Sequence, residues 1–238
     1  MHFELRALIL AAGFGTRLQP LTFQTPKCLM QIGGKPLLEK WLESLEELGC
    51  ESALINTHYL SHKVDGFIKT YRRKDMLIET IYEPQLLGTA GTLLRNRNWF
   101  TNKTGLLIHA DNATNANLKL FLKAHRERPK ECLLTMLTFK TDNPRSCGIV
   151  ETNSKGLMLD FHEKVDNPPC DIANGAVYLF DKCFLEWLEE NSLAASDFST
   201  EILPLLKGKV QTWLTTSDFL DIGTPESLQI AQDIFSGR

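Results

Sequence analysis

The sequence has no hydrophobic run long enough to cross a bilayer. The apolar stretch in "MHFELRALILAAG" is about a strand long and follows acidic Glu4, so it is read as neither signal peptide nor membrane span. An excess of one charge is also missing: 26 Lys and Arg stand against 29 Asp and Glu, a formal net charge of −3. That balance gives no electrostatic case for nucleic acid or an anionic membrane, so any cationic patch must be local. Cysteine is sparse and scattered. Cys28, Cys50, Cys132, Cys147, Cys170 and Cys183 form no C-x-x-C pair and no Cys/His cluster of ligand spacing. This argues against a zinc site or a disulfide framework and favours reduced thiols in a cytoplasmic protein. No Ser/Gly/Pro linker, internal repeat or low-complexity tract divides the 238 residues, so one domain is expected.

Hydrophobic residues make up 43% of the chain and charged residues 23%, ordinary globular usage. Short β-rich runs recur at Ala7 to Leu10, Ala53 to Asn56, Leu77 to Tyr82 and Leu106 to His109. Helical patterns fall between them, in "PLLEKWLESLEEL" and "LSHKVDGFIKTYRRK", and a third, "NANLKLFLKAHRER", follows the fourth run. In the first, Leu37, Leu38, Trp41, Leu42, Leu45 and Leu48 share a face, with Pro36 at the start and Gly49 past the end. This alternation predicts a mostly parallel sheet covered on both faces. From about residue 132, "CLLTMLTF", "GIVET", "GLMLDFHEK" and "GAVYLF" read as antiparallel or mixed strands with little helix between them. Phe184, Trp187 and Leu188 at helical spacing read as core. "TPESLQIAQDIF" reads as a final helix with Thr224 as N-cap and Pro225 at its first position.

Residues 8 to 27, "LILAAGFGTRLQPLTFQTPK", run from a strand into a glycine-rich turn with one arginine and one lysine. Bare backbone N–H groups after a strand suit an anion. The P-loop string G-x-x-x-x-G-K-[ST] is absent. A dinucleotide loop needs a third glycine where Leu18 stands, and an acidic residue about 20 positions on, whereas the second strand ends at Asn56. Arg17 suits the paired oxygens of a phosphate and Lys27 supplies a movable point charge, so more than one phosphate is implied.

The stretch "LILAAGFGTRLQPLTFQTPKCLMQIGGKPLLE", followed in order by "EPQLLGTAGTL", "IHADN", "FHEK", "NGAVYLF" and "DIGTPESL", resembles the sugar-1-phosphate nucleotidylyltransferases, and in feel the mannose-1-phosphate or manno-heptose-1-phosphate guanylyltransferases. The resemblance implies an α/β, Rossmann-like three-layer nucleotide-diphospho-sugar transferase fold with a mixed, mostly parallel central sheet. It implies a single domain over residues 1–238, with a nucleotide-binding half to about 131 and a sugar-phosphate-binding half beyond. No β-helix acyltransferase or isomerase domain is expected. The implied reaction is NTP plus sugar 1-phosphate giving NDP-sugar and diphosphate, for nucleotide-sugar and surface polysaccharide biosynthesis. Alternatives are UTP, dTTP or CTP as donor, or a non-catalytic regulatory subunit.

Residue by residue, the resemblance assigns Leu10, Ala11, Ala12, Gly13, Gly15, Thr16 and Arg17 to the nucleotide, together with Glu83, Leu87, Gly88 and Thr89. Arg17 and Lys27 are the catalytic cations. Lys27, Gly148, Glu163, Lys164, Asn174 and Gly175 take the sugar phosphate, and Asp111 and Asp221 hold Mg2+. Ala110 replaces the usual glycine before the metal aspartate, which a negative φ would accommodate, and Val165 replaces the usual proline after Glu-Lys. Glu83, a pure acceptor, suits the N1–H and N2–H donors of guanine. His109 and His162 flank the site and are read as structural. The expected partners are a nucleoside triphosphate and a sugar 1-phosphate, with no nucleic acid and no membrane; a homo-oligomer is an open option.

Overall fold

A computed structural model describes residues 4–71 and 76–236. The first part of the chain forms β1 (Leu5–Leu10), β2 (Gln31–Ile32), β3 (Lys35–Pro36), α1 (Leu37–Leu48), β4 (Ser52–Thr57), α2 (Ser61–Thr70) and β5 (Leu77–Tyr82). The middle forms α3 (Gly88–Arg95), β6 (Thr104–His109), β7 (Asn112–Thr114), α4 (Leu118–Glu127) and β8 (Leu134–Lys140). The last part forms β9 (Gly148–Thr152), β10 (Met158–Glu163), β11 (Ile172–Phe180), α5 (Lys182–Asn191), β12 (Val210–Leu214), β13 (Phe219–Asp221) and α6 (Pro225–Phe235). The fold is α/β with a mixed sheet, as the sequence predicts. Arg72, Arg73 and Lys74, read as part of the second helix, lie outside the described residues.

The chain forms two compact units. The first comprises Glu4–Leu86, Ile108–Asn115 and Asp218–Arg238. Here β1 pairs with β4 and β4 with β5, both parallel, and the end of β6 lies beside β1. β4 is buried along its whole length and β5 is mostly exposed, as befits a central and an outer strand. α1 buries Leu37, Leu38, Trp41, Leu42 and Leu45 and ends on Gly49 at φ 77°, a left-handed cap that glycine enters without steric cost. α6 opens on a reciprocal cap in which Thr224 and Ser227 satisfy each other's backbone N–H groups.

The second unit is built from Leu87–Leu107 and Ala116–Ser217. Its strand β11 pairs antiparallel with β8 and β9, β9 pairs antiparallel with β10, and β12 runs parallel to β8. α5 buries Phe184 and Leu188 as expected, while Trp187 is half-buried and stacks on Phe184. α3 has no sequence signal: "GTAGTLLR" carries two glycines and propensity disfavours it. Tertiary bonds hold it, with Ala90 N–H donating to the Ser196 carbonyl at 3.0 Å and Phe198 N–H donating to Thr89 Oγ1 at 2.7 Å. No helix among the described residues is long and apolar enough to cross a membrane.

At Gly105 a Cβ would stand 2.2 Å from the buried ring of Phe180. Gly105→Ala is therefore expected to destabilise the protein by ~1–3 kcal/mol through overpacking. Urea unfolding checks this, and a midpoint equal to the wild type's would refute it.

Candidate functional site

In the first unit, β1 ends in a loop whose shape is set by hydrogen bonds. Gly15 sits at φ 62°, and a Cβ there would lie 2.8 Å from Thr22 Cγ2. The Gly15 carbonyl accepts from Leu18 N–H and from Thr22 Oγ1, both at 2.9 Å, and Tyr59 Oη donates to the Thr22 carbonyl at 2.9 Å. Gly13 has nothing within 4 Å of its would-be Cβ, so that side of the residue faces open space. Thr16 and Arg17 stand exposed on the turn that follows.

Lys27, on the short helical turn Lys27–Leu29, reaches the ribbon of β7 and β13. Its Nζ lies 2.6 Å from Asp111 Oδ2 and 3.1 Å from Asp221 Oδ1. The ribbon pairs Asp221 with Asn112, and Ile222 N–H donates to the Asp111 carbonyl at 3.0 Å. Two carboxylates far apart in sequence thus meet at one ammonium. Arg17 Nη2 approaches Asp221 Oδ2 at 3.8 Å, a contact between exposed groups and correspondingly weak. A Cβ at Gly223 would lie 2.8 Å from that guanidinium, so Gly223 leaves room for the pair. Ala110 is not among the positive-φ residues, so its methyl group is accommodated.

At the carboxyl ends of β1, β4 and β5, Asn56 joins the loop to Glu83. Its Oδ1 accepts Ala11 N–H at 2.7 Å and its Nδ2 donates to Glu83 Oε1 at 3.1 Å. Both side chains are buried. Ala11, which the resemblance assigns to the nucleotide, has its N–H bonded to the Asn56 side chain.

In the second unit, Glu163 faces Gly148 across β9 and β10. A Cβ on Gly148 would lie 2.6 Å from Phe161 Cζ and 2.7 Å from Glu163 Oε2, so a side chain there would have to displace the ring or the carboxylate. Lys164 Nζ lies 3.1 Å from Glu163 Oε1, and its backbone takes φ 48°. Asn174 and Gly175 lie at a register shift in β11. There Asn174 Nδ2 donates to buried Tyr178 Oη at 2.7 Å, and Asn174 Oδ1 accepts Ala176 N–H at 2.9 Å. Ala176 has φ 50°. Left-handed Lys164 and Ala176 each cost on the order of 1–3 kcal/mol, the kind of strain that gathers at ligand sites. Gly88 at φ 78° has a separate structural need, since a Cβ would meet the Ser196 carbonyl at 2.2 Å. His162 contacts Glu151 at 3.4 Å.

The family model described as nucleotidyl transferase matches residues 6–235. The chain belongs to the nucleotidyl transferase family. Among relatives of this chain, a mannose-1-phosphate guanylyltransferase from Mycobacterium tuberculosis is 26% identical, over 94% of this chain and 62% of the relative. A UTP–glucose-1-phosphate uridylyltransferase from Synechocystis is 26% identical, over 98% and 64%. A Bacillus anthracis structure in complex with sucrose, provisionally described as a glucose-1-phosphate thymidylyltransferase, superposes with a TM-score of 0.87 at 20% identity, over 98% of this chain and 96% of that one. That likeness shows that the two chains share a fold. The chain spans about three-fifths of the length of the guanylyltransferase relatives it matches.

Electrostatics at Lys27 follow from competing effects. Burial is the largest single influence on Lys27 and works against its charge, yet the two aspartates outweigh it and raise its pKa. Burial likewise opposes ionisation of Asp111, but the Lys27 ammonium and then His109 bring its pKa below the usual carboxylate value. Neighbouring Cys28 is buried, and burial pushes its thiol up to about 12, so it is no nucleophile near neutral pH. Asn56 and Gly223 escaped the sequence reading. Gly223 had a signal, inside "DIGTP"; Asn56 had none beyond a polar residue closing an apolar strand.

Because the folded pKa of Asp111 is depressed, it contributes stability above its unfolded value, about 3.9, that is lost as pH falls through the folded one. In Lys27→Met the opposing burial is unmatched, so Asp111 destabilises the fold as pH rises past that value. The stability difference between wild type and Lys27→Met should therefore grow from about pH 3 to 6, the range spanning the carboxylate titration. Urea unfolding at a series of pH values tests this, and a difference independent of pH would count against the ion pair.

Proposed function

We propose that this chain catalyses nucleotidyl transfer from a nucleoside triphosphate to a sugar 1-phosphate. The observation that carries the reading is the ammonium of Lys27 held between Asp111 and Asp221, with Arg17 on the glycine-rich turn beside them. A sugar 1-phosphate oxygen attacks the α-phosphorus, the bond to the β-phosphate oxygen breaks, and diphosphate leaves. The substrate brings its own nucleophile, so the protein need only position phosphates and neutralise charge. Backbone groups from Ala12 to Thr16 wrap the phosphates, Arg17 neutralises the β- and γ-phosphates, and Lys27 draws the sugar phosphate towards the α-phosphorus. Glu163 with its acceptor carboxylate, Lys164, Gly148, Asn174 and Gly175 belong to the second unit and are the residues there to test for binding of the sugar phosphate.

Two carboxylates close enough to share one ammonium form a seat for a cation, and their hard oxygens match Mg2+, which binds through one or two carboxylates plus substrate phosphate. Asp111 and Asp221 would hold it, and bound there it would offset charge on the α-phosphate. Among the described residues no cluster of three metal-ligating side chains occurs, and this chemistry needs none. GTP with mannose 1-phosphate or a manno-heptose 1-phosphate is the favoured pair, supported by the acceptor-only Glu83 and by the guanylyltransferase relatives. UTP is the alternative donor that the uridylyltransferase relative supports.

The deciding experiment measures diphosphate release over four NTPs against a panel of sugar 1-phosphates; no release with any pair overturns the reading. Activity should vanish with EDTA and return with Mg2+. In Asp111→Ala or Asp221→Ala, kcat should fall by about 100-fold or more, as for loss of a group that stabilises transition-state charge. Near-normal turnover in both variants would remove them from the metal site. Lys27→Ala should raise KM for the sugar phosphate and lower kcat, whereas Arg17→Ala should act through the triphosphate, and initial-rate kinetics would expose the reverse assignment. Glu83→Gln should lose about 10- to 100-fold on GTP relative to UTP, because one buried donor is left facing another. An unchanged GTP:UTP ratio would show that another group reads the base.

A further inference from the structure

We propose that Asn56 is a positioning residue whose single buried amide sets both the phosphate-binding loop and the base-reading carboxylate. The inference rests on the nucleotidyl-transfer reading above and deepens it. Asn56 lies near the end of a strand buried along its whole length, where an apolar side chain would serve packing without the cost of desolvating an amide. What an apolar residue lacks is two polar ends of opposite sense.

Ala11 N–H can only donate, so the amide oxygen must face it, and the amide nitrogen is thereby turned onto Glu83. Ala11 is the first residue beyond β1 and the start of the glycine-rich turn. Glu83 is the first beyond β5, and its main chain is itself fixed: Glu83 N–H donates to the Thr57 carbonyl at 2.8 Å, while its own carbonyl contacts His58 Nδ1 at 2.7 Å. With the backbone held on one side and an amide donor on the other, the Glu83 carboxylate is aimed from two fixed points. The same amide sets where the turn departs from β1. The loop that takes phosphates and the carboxylate that reads the base are therefore registered to one another through one side chain.

The test uses Asn56→Asp, Glu83→Gln and the double variant Asn56→Asp/Glu83→Gln in the full chain. Asn56→Asp keeps an acceptor for Ala11 but turns a carboxylate oxygen onto Glu83. In the double variant the amide introduced at position 83 donates to that oxygen, rebuilding the strut with reversed polarity. Binding of a fluorescent analogue of the preferred NTP and KM for both substrates are measured below each variant's thermal midpoint. Asn56→Asp should weaken NTP binding about 10- to 100-fold with KM for sugar 1-phosphate unchanged. The double variant should recover most of that loss while its base preference follows Glu83→Gln.

Equal weakening towards both substrates, a lower thermal midpoint with NTP affinity intact, or a double variant no better than Asn56→Asp would overturn the proposal. If Asn56→Asp does not fold, the double variant decides. Regained folding with regained NTP binding supports the strut, and continued failure of either refutes it. A wild-type protein that binds no NTP at all would instead overturn the proposed function.

Discussion

Lys27 cannot be removed from its place without undoing the arrangement around it. Two carboxylates brought side by side repel one another unless a cation stands between them. Here the cation is a side chain on the loop that leaves the glycine-rich turn. One ammonium therefore ties three remote stretches together: the turn after β1, the start of β7 and the end of β13. Its own side chain is only 14% exposed, so its charge is supportable only because both carboxylates answer it. With Arg17 included, two cationic side chains face two carboxylates, so the cluster is balanced in charge.

The second unit solves a different problem. Its candidate residues sit on antiparallel strands with a register shift, and two of the residues among them, Lys164 and Ala176, hold a left-handed backbone without being glycine. Such conformations survive where surroundings over-determine them. The amide of Asn174 does this for Ala176, accepting its N–H while being held by the buried hydroxyl of Tyr178. Just beyond β11 lies a polar anchor. Asp181 accepts from Thr104 Oγ1 and from Arg128 Nη2, both at 2.8 Å, and meets His125 Nε2 at 3.4 Å. Burial is the largest influence on both titrating partners; it lowers the His125 pKa, whereas at Asp181 the hydrogen bonds of His125 and Arg128 overcome it and hold the acid well below its usual value. Charge satisfaction inside the unit thus gives the strained strand something rigid to stand on.

Periodicity and punctuation were enough for the regular elements. Leu37 to Leu45 at helical spacing, Gly49 past the end, Thr224 before Pro225, and the apolar runs of β1, β4, β5 and β6 each carry their structure locally, because capping, left-handed φ and alternation are properties of a few adjacent residues. The cationic turn was equally legible, since Gly15, Arg17 and Lys27 lie within one short stretch, and the motif order named a family that the family match bears out. The helix at Gly88–Arg95 was not legible. Its bonds to Ser196 and Phe198 come from residues far along the chain, and its own composition argues for a loop.

Local sequence, then, determined which residues form strands and helices, which segment holds the glycines and cations, and that Asp111 and Asp221 were worth watching. Only tertiary structure decided that those aspartates share one ammonium, that Gly148 lies against Phe161 and Glu163 and Gly223 against the Arg17 guanidinium, and that Asn56 braces Ala11 against Glu83. The reason is range. A cap or a periodic face is specified by neighbours along the chain, whereas a charge pair at 2.6 Å or an amide strut with arms of 2.7 and 3.1 Å depends on the strand order and register that bring distant residues together.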